Sequence, residues 1–169
     1  MARAFIGVGS NIEPAENVRR SLRLLAQGMR VVGVSTVYET EPEGRPQQPR
    51  YYNCVVEVET EAPPPELKRS LREIEDRLGR VRGEDRYAPR IIDLDILIYD
   101  DLVEQTEEMT LPHPDIEQRP YLAAALAELA PTLALPGTDL TLEALAEKLP
   151  EQGMRPLEEY TAALRREVA

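Results

Sequence analysis

The chain has 169 residues, of which 42% are hydrophobic, and this is enough for one domain around one buried core. We therefore expect a single domain over residues 1–169. The 31 acidic and 20 basic side chains give a net charge of −11. Nucleic acids and anionic membrane surfaces bind broad positive fields, so this charge argues against both as partners.

The single cysteine, Cys54, excludes an intramolecular disulfide and a cysteine metal cluster, and we expect it to be a small core residue. The apolar run near the first residue is too short for a signal peptide. No other stretch approaches the roughly 18 apolar residues of a membrane span. We therefore expect a cytoplasmic protein.

Hydrophobic periodicity predicts alternating strands and helices along the chain. Gly7, Gly9, Ser10 and Asn11 predict a turn after the first strand. The predicted strands are residues 2–8, 29–38, 51–60 and 91–99, with a short fifth piece around Leu102 and Val103. The predicted helices are residues 13–27, 65–78, 121–129, 140–149 and 156–168.

The first six elements follow the order βαββαβ, which is typical of the α+β class, with an antiparallel sheet and helices on one of its faces. Right-handed crossovers are expected to bring the first and fourth strands to the middle of the sheet. A core over about residues 1–135 would then be followed by a helical C-terminal extension over about residues 137–169. This extension is expected to cap the open face or the edge of the sheet.

Residues 80–97, RVRGEDRYAPRIIDLDIL, are the stretch most indicative of function. Residues i and i+2 of a strand share a face, so Asp93 and Asp95 point one way and the intervening isoleucines and leucine point toward the core. A polar loop with Arg80, Arg82, Arg86 and Arg90 precedes them.

Two neighbouring carboxylates on an apolar strand repel each other, and each would cost roughly several kcal/mol to bury without compensation. Mg²⁺ commonly joins one or two carboxylates to substrate phosphates, and guanidinium groups match phosphate oxygens. A structural network of arginine–aspartate ion pairs is the alternative. The surplus of arginine over aspartate favours an anionic ligand.

Five spaced motifs resemble one family. They are Gly7–Asn11 (GVGSN), Tyr38–Pro42 (YETEP), Tyr51–Asn53 (YYN), Pro112–Pro114 (PHP) and the run from Arg86 through Ala88, Pro89 and Arg90 to Asp93–Leu97. Together they resemble the 6-hydroxymethyl-7,8-dihydropterin pyrophosphokinases of folate biosynthesis over about residues 4–135. The resemblance implies a ferredoxin-like fold and transfer of a diphosphate from ATP to the pterin hydroxymethyl group, releasing AMP.

The resemblance also implies the roles of individual residues. Asp93 and Asp95 would bind two Mg²⁺ ions, and Arg82 and Arg90 would act with them in catalysis, because the loop between the two arginines is long enough to fold over a ligand. The expected ATP-binding residues are Glu75, Arg80, Arg82, Arg86, Arg90, His113 and Arg119. The expected pterin-binding residues are Thr40, Tyr51, Asn53, Tyr87, Asp93 and Tyr121.

Three positions depart from the family pattern. Tyr87 and Ala88 replace a tryptophan and the glycine that follows it, Pro114 replaces a tyrosine after the histidine, and Tyr121 replaces a stacking phenylalanine. Because the chain has one phenylalanine and no tryptophan, stacking on a flat heterocycle must depend largely on tyrosines. The general base is not identifiable from the residues.

Two other functions remain open at this point. Another two-metal enzyme, such as a nucleotidyl transferase, also places carboxylates on such a sheet, and an RNA-recognition-like module shares the topology. We expect ATP and the hydroxymethyl-dihydropterin as small-molecule partners of a monomer that binds neither nucleic acid nor membrane.

Overall fold

The structure is a computed structural model that describes residues 1–42, 44, 47–85 and 88–168. Its strands are β1 (Ala2–Ser10), β2 (Arg30–Val34), β3 (Tyr38–Thr40), β4 (Tyr51–Thr60), β5 (Asp93–Tyr99), β6 (Glu104–Gln105), β7 (Thr110–Leu111) and β8 (Met154–Pro156). Its α-helices are α1 (Pro14–Gly28), α2 (Pro64–Arg77), α3 (Pro120–Leu129), α4 (Leu142–Lys148) and α5 (Glu158–Val168), and a short 3₁₀ helix spans Pro114–Glu117. No helix in those ranges combines the length and apolarity needed to cross a membrane.

The main sheet has the strand order β5-β1-β4-β3-β8, and β2 also pairs with β4. Each of these pairs is antiparallel, so the predicted α+β fold is confirmed. The prediction that the aspartate strand is central is wrong. In the described part of the chain β5 pairs only with β1, whereas the ten-residue β4 pairs with β1 on one side and with β2 and β3 on the other. The length of β4 gives it the inner position.

One face of the sheet packs against α1, α2 and α5. Val18, Leu22 and Leu25 of α1 lie at helical spacing and are fully buried there. The α2 residues Leu67, Leu71 and Ile74 form an equivalent stripe. Alternate residues of the strands complete this core, namely Ala4, Ile6 and Val8 from β1, Cys54, Val56 and Val58 from β4, and Leu94 and Ile96 from β5. The burial of Cys54 confirms its prediction as a core residue, and that burial raises the pKa of its thiol to about 12.

The opposite face packs against α3 and α4. Phe5, Val55, Leu97 and Ile98 of the strands contact a second apolar cluster from these helices. The extension predicted over residues 137–169 contributes α4 to this second face and α5 to the first face. However, it is not wholly helical, because β8 extends the sheet beside β3. A strand of three residues is too short to be recognised from periodicity.

The predicted strand over residues 29–38 is two strands. Between β2 and β3, Ser35 donates its N–H to the Val55 carbonyl and accepts the Val55 N–H at its hydroxyl, both at 2.9 Å. The hydroxyl replaces a backbone partner, so the strand can bend without leaving a buried amide unpaired. The first strand differs as well, because it continues through Gly9 to Ser10 where a turn was predicted.

Candidate active site

A cavity of about 550 Å³ opens over the ends of β1, β4 and β5 that lie nearest the predicted motifs. Twelve of the fourteen predicted site residues lie in the described part of the chain, and all twelve line this cavity. The other two, Arg86 and Tyr87, lie outside the described part. The twelve are Thr40, Tyr51, Asn53, Glu75, Arg80, Arg82, Arg90, Asp93, Asp95, His113, Arg119 and Tyr121. Residues separated by more than 80 positions in the sequence therefore converge on one cavity.

The floor of the cavity is formed by glycines of β1. Gly9 lies opposite Asp93 and Gly7 lies opposite Asp95 in the β1–β5 register. A Cβ atom on Gly9 would lie 2.6 Å from Oδ1 of Asn53, which is closer than nonbonded atoms approach. Sequence reasoning assigned these glycines to a turn. Their i, i+2 spacing in a strand is the signal that they share one face with the aspartates across from them.

Glu75 is the most buried charged residue of the cavity, with 3% exposure. It extends from α2 around the edge of the sheet, and its carboxylate accepts the backbone N–H of Leu94 in β5 at 2.8 Å. The same carboxylate accepts hydrogen bonds from Arg80 and Arg82, each at 2.6 Å. This arrangement requires β5 to be an edge strand, because an inner strand would have no free N–H for a helix side chain to reach.

Two arginines of the loop, Arg80 again and Arg90, bind Asp93. Arg80 reaches one Asp93 oxygen at 3.0 Å and Arg90 reaches the other at 2.8 Å. The backbone of Arg90 also donates to the Asn11 side chain at 2.7 Å, which holds the end of the loop against β1. The structural ion network that the sequence left open is thus present in the structure.

Asp95 differs from its neighbour because it takes part in none of these ion pairs. Burial, together with the charges of Asp93 and Glu75, raises the pKa of the Asp95 carboxyl to about 7. Burial therefore disfavours the charged form of Asp95 most, and repulsion from the two neighbouring carboxylates adds to this effect. A cation bound between Asp95 and Asp93 would remove this repulsion.

Thr40, Asn53 and two tyrosines form a second group in the cavity. The Asn53 Nδ2 donates to Thr40 Oγ1 at 2.7 Å, so the amide of Asn53 has a defined orientation. Tyr51 and Tyr121 are half-buried, and Arg119 donates to the Tyr121 hydroxyl at 3.3 Å. An oriented amide beside two aromatic rings is suited to a flat polar heterocycle.

His113 precedes the 3₁₀ helix, and its Nδ1 accepts the backbone N–H of Asp115 at 3.1 Å. Since Nδ1 accepts a hydrogen bond, the proton of the neutral ring is on Nε2. Burial lowers the pKa of His113 despite the opposing effect of Asp115 and Asp93. The imidazole is therefore a neutral donor at pH 7, which can bind an anion without adding charge.

Sequence reasoning missed two basic residues of the cavity wall, Lys68 and Arg72 of α2. They lie seven and three positions before Glu75 and share its face of the helix. Charged residues on an amphipathic helix normally point to solvent. The signal that was available is their helical spacing from Glu75, which the family resemblance had already assigned to the nucleotide site.

These features suit a polyphosphate next to a carboxylate pair, together with a flat polar molecule. The chain belongs to the 7,8-dihydro-6-hydroxymethylpterin-pyrophosphokinase family, whose sequence model matches residues 5–131. The resemblance inferred from the motifs is confirmed.

Individual relatives agree with the family. The 2-amino-4-hydroxy-6-hydroxymethyldihydropteridine pyrophosphokinase of Methylorubrum extorquens is 39% identical over 161 residues, which cover 94% of this chain and 100% of the relative. The enzyme of the same name from Haemophilus influenzae is 37% identical, over 85% of this chain and 91% of its own length. The folic acid synthesis protein fol1 of Schizosaccharomyces pombe is 38% identical over 90% of this chain, but the match spans only 21% of that protein.

Solved structures support the fold. The Plasmodium falciparum HPPK-DHPS protein with pteroate aligns with a TM-score of 0.72, at 14% identity, over 87% of this chain and 42% of that chain. The same protein with SDX-DHP aligns with a TM-score of 0.69. The chain thus spans less than half the length of these structures, and the likeness supports a ferredoxin-like architecture for this part.

We expect Glu75→Ala to lower the free energy of unfolding by about 3 kcal/mol, because it leaves Arg80, Arg82 and the Leu94 N–H without their buried partner. Denaturation by guanidinium chloride measures the loss. Glu73→Ala is the matched control, since Glu73 is exposed on the same helix. Equal, small losses for both variants would contradict the central position given to Glu75.

His113 is the only histidine in the chain, so its tautomer can be read directly by ¹⁵N NMR. We expect an unprotonated Nδ1 and a protonated Nε2, and a titration midpoint below that of an exposed histidine. Asp115→Ala should keep this tautomer, because the donor to Nδ1 is a backbone N–H. A protonated Nδ1 in the native protein would refute the assignment.

Proposed function

We propose that the protein transfers the β,γ-diphosphate of ATP to the hydroxyl of 6-hydroxymethyl-7,8-dihydropterin, giving the pterin diphosphate and AMP. The observation that carries this proposal is the convergence of five arginines, a carboxylate pair and an oriented asparagine on one cavity, in a chain of this family. The cavity of about 550 Å³ is within the usual range for small-molecule sites.

Arg80, Arg82 and Arg90 would bind the polyphosphate. Their acid partners hold each guanidinium in the cavity before the nucleotide arrives, so less side-chain entropy is lost on binding. Phosphate oxygens can then take the guanidinium donors that the carboxylates do not use. Arg119 and the Nε2–H of His113 would add donors from the opposite wall.

The carboxylates fit Mg²⁺, although no cluster of three or more potential ligands occurs among the described residues. Mg²⁺ normally takes one or two carboxylates and completes its shell with water and phosphate oxygens. Asp93 and Asp95 would supply the protein ligands, and a bound cation would offset the burial and the carboxylate repulsion that raise the pKa of Asp95. When bound, the metal neutralises charge on the transferred group and acidifies the attacking hydroxyl.

The pterin would bind beside Asn53. Its Nδ2 donates to Thr40, and its Oδ1 lies over Gly9, where a side chain on the strand would displace it. Tyr51 and Tyr121 would contribute aromatic faces. Positioning and charge neutralisation dominate diphosphoryl transfer, so the residues serve chiefly to align the hydroxyl with the nucleotide.

Phosphorus NMR of the protein with ATP, Mg²⁺ and 6-hydroxymethyl-7,8-dihydropterin tests the proposal. We expect AMP and a new diphosphate ester to appear together as ATP disappears. Release of inorganic pyrophosphate would instead indicate a nucleotidyl transferase. Salt-sensitive RNA binding without ATP turnover would indicate a nucleic-acid module.

We expect Asp95→Asn to lower the rate of AMP formation at least about 100-fold, because the amide keeps the shape but removes the anionic ligand. The rate at saturating ATP and pterin measures the effect. Asp101→Asn, at an exposed acid just after β5, is the matched control and should retain normal activity. Near-normal turnover by Asp95→Asn would remove Asp95 from the metal site.

The stability of the metal-free protein should also depend on Asp95. The folded-state pKa of Asp95, about 7, exceeds the unfolded value of about 4, so between these pH values the unfolded chain binds fewer protons. The contribution of Asp95 to stability therefore falls as pH rises through this window. At pH 8 without Mg²⁺, Asp95→Asn should melt at a higher temperature than the native protein, and Mg²⁺ should raise the melting temperature of the native protein alone. If the difference in melting temperature between the native protein and Asp95→Asn were the same at pH 5 and at pH 8, this reasoning would be contradicted.

A further inference from the structure

The C-terminal segment, residues 153–161, lies beyond residues 5–131 that the family model matches. It comprises Gly153, strand β8 and the start of α5. Strand β8 pairs antiparallel with β3, with Arg155 opposite Glu39 and Met154 opposite Thr40. The segment therefore contacts the strand that carries one of the predicted pterin-binding residues.

Backbone hydrogen bonds hold β3 at both of its ends. The Leu157 N–H donates to the Val37 carbonyl at 2.8 Å, and the Val37 N–H donates to the buried Thr161 hydroxyl at 2.9 Å. At the other end, the Glu41 N–H donates to the Gly153 carbonyl at 3.3 Å. Because β3 has only three residues, it depends on neighbours on both sides for its position.

A side-chain ion pair adds to this attachment. Arg155 donates to the Glu39 carboxylate at 3.0 Å, directly across the two strands. Opposite charges at such cross-strand positions stabilise the pairing, and like charges there weaken it. The pair points away from the cavity, since neither residue lines it.

The position of β3 controls the orientation of Asn53. Thr40, at the end of β3, is 3% exposed, and its hydroxyl accepts the Asn53 Nδ2 at 2.7 Å. This hydrogen bond determines which end of the amide is presented over Gly9. A shift of β3 would move the Thr40 hydroxyl and release the Asn53 side chain to rotate.

We propose that the C-terminal segment is a positioning element for the pterin, acting through β3 and Thr40 on the amide of Asn53. The inference rests on the proposed function. The segment contacts no catalytic group, and its effect is confined to the substrate that Asn53 binds. Nucleotide binding would depend on α2 and the arginine loop, and none of the segment's hydrogen bonds and ion pairs given above joins it to their described residues.

Two changes test the proposal. Thr161→Val removes the hydroxyl that binds the Val37 N–H, and Arg155→Glu places like charges opposite each other at Glu39. We expect each to raise the KM for the pterin roughly fivefold and to leave the KM for ATP within about twofold, as the loss of one hydrogen bond to a positioning strand predicts. Combining Arg155→Glu with Glu39→Arg should restore the pterin KM.

Thr141→Val is the matched control. Its hydroxyl accepts the Ala144 N–H at the start of α4, far along the chain from β3, so the substitution removes a comparable hydrogen bond without touching β3. Both KM values should stay at the native level. An unchanged pterin KM in folded Thr161→Val, or parallel losses for both substrates in step with reduced stability, would overturn the proposal.

A readout that needs no turnover separates this inference from the proposed function. The side-chain NH₂ protons of Asn53 should exchange with solvent faster in Thr161→Val than in the native protein or in Thr141→Val. Native protein that forms no AMP from the pterin would refute the function and leave this result standing. Unchanged exchange in Thr161→Val would refute the positioning role alone.

Discussion

The arrangement of the site depends on one buried carboxylate. Glu75 accepts hydrogen bonds from Arg80, Arg82 and the backbone of Leu94, and so connects α2, the arginine loop and the aspartate strand. A buried anion is tolerated only when its acceptor positions are filled, so these three partners are constrained together. The geometry of the side of the cavity that we propose binds phosphate is thereby set from the helix rather than from the loop.

The arginine network and the anion-binding site are two uses of the same side chains. Asp93 is paired with Arg80 and Arg90, whereas Asp95 takes part in none of the ion pairs formed by the loop. Among the described residues the site thus contains an ion-paired acid, Asp93, beside one, Asp95, that has no arginine partner. A bound nucleotide would supply negative charge to the arginines, and a bound metal would supply positive charge to Asp95. The structural and the functional interpretations of this stretch therefore do not exclude each other.

The sequence was sufficient for those features that depend on local periodicity. The i, i+2 spacing of Asp93 and Asp95 predicted their common face, and the apolar stripes predicted α1 and α2. It was insufficient for features set by strand pairing over distance. The edge position of β5 follows from the length of β4, and β8 is recognisable only from its partner β3. Glu75 was identified through family resemblance, because a glutamate on an amphipathic helix is ordinarily exposed.

The edge position of β5 has a consequence for solubility. Its sequence, DLDILIY, is apolar and β-forming, and an open edge of this kind is a template for pairing with a second chain. Here the Leu94 backbone N–H donates to Glu75, and the Leu97 carbonyl accepts the backbone N–H of His113 at 2.8 Å. Groups that line the cavity therefore also obstruct self-association. Substitutions that break these contacts would then also favour aggregation. Selection on catalysis and selection on colloidal behaviour would therefore act on the same residues.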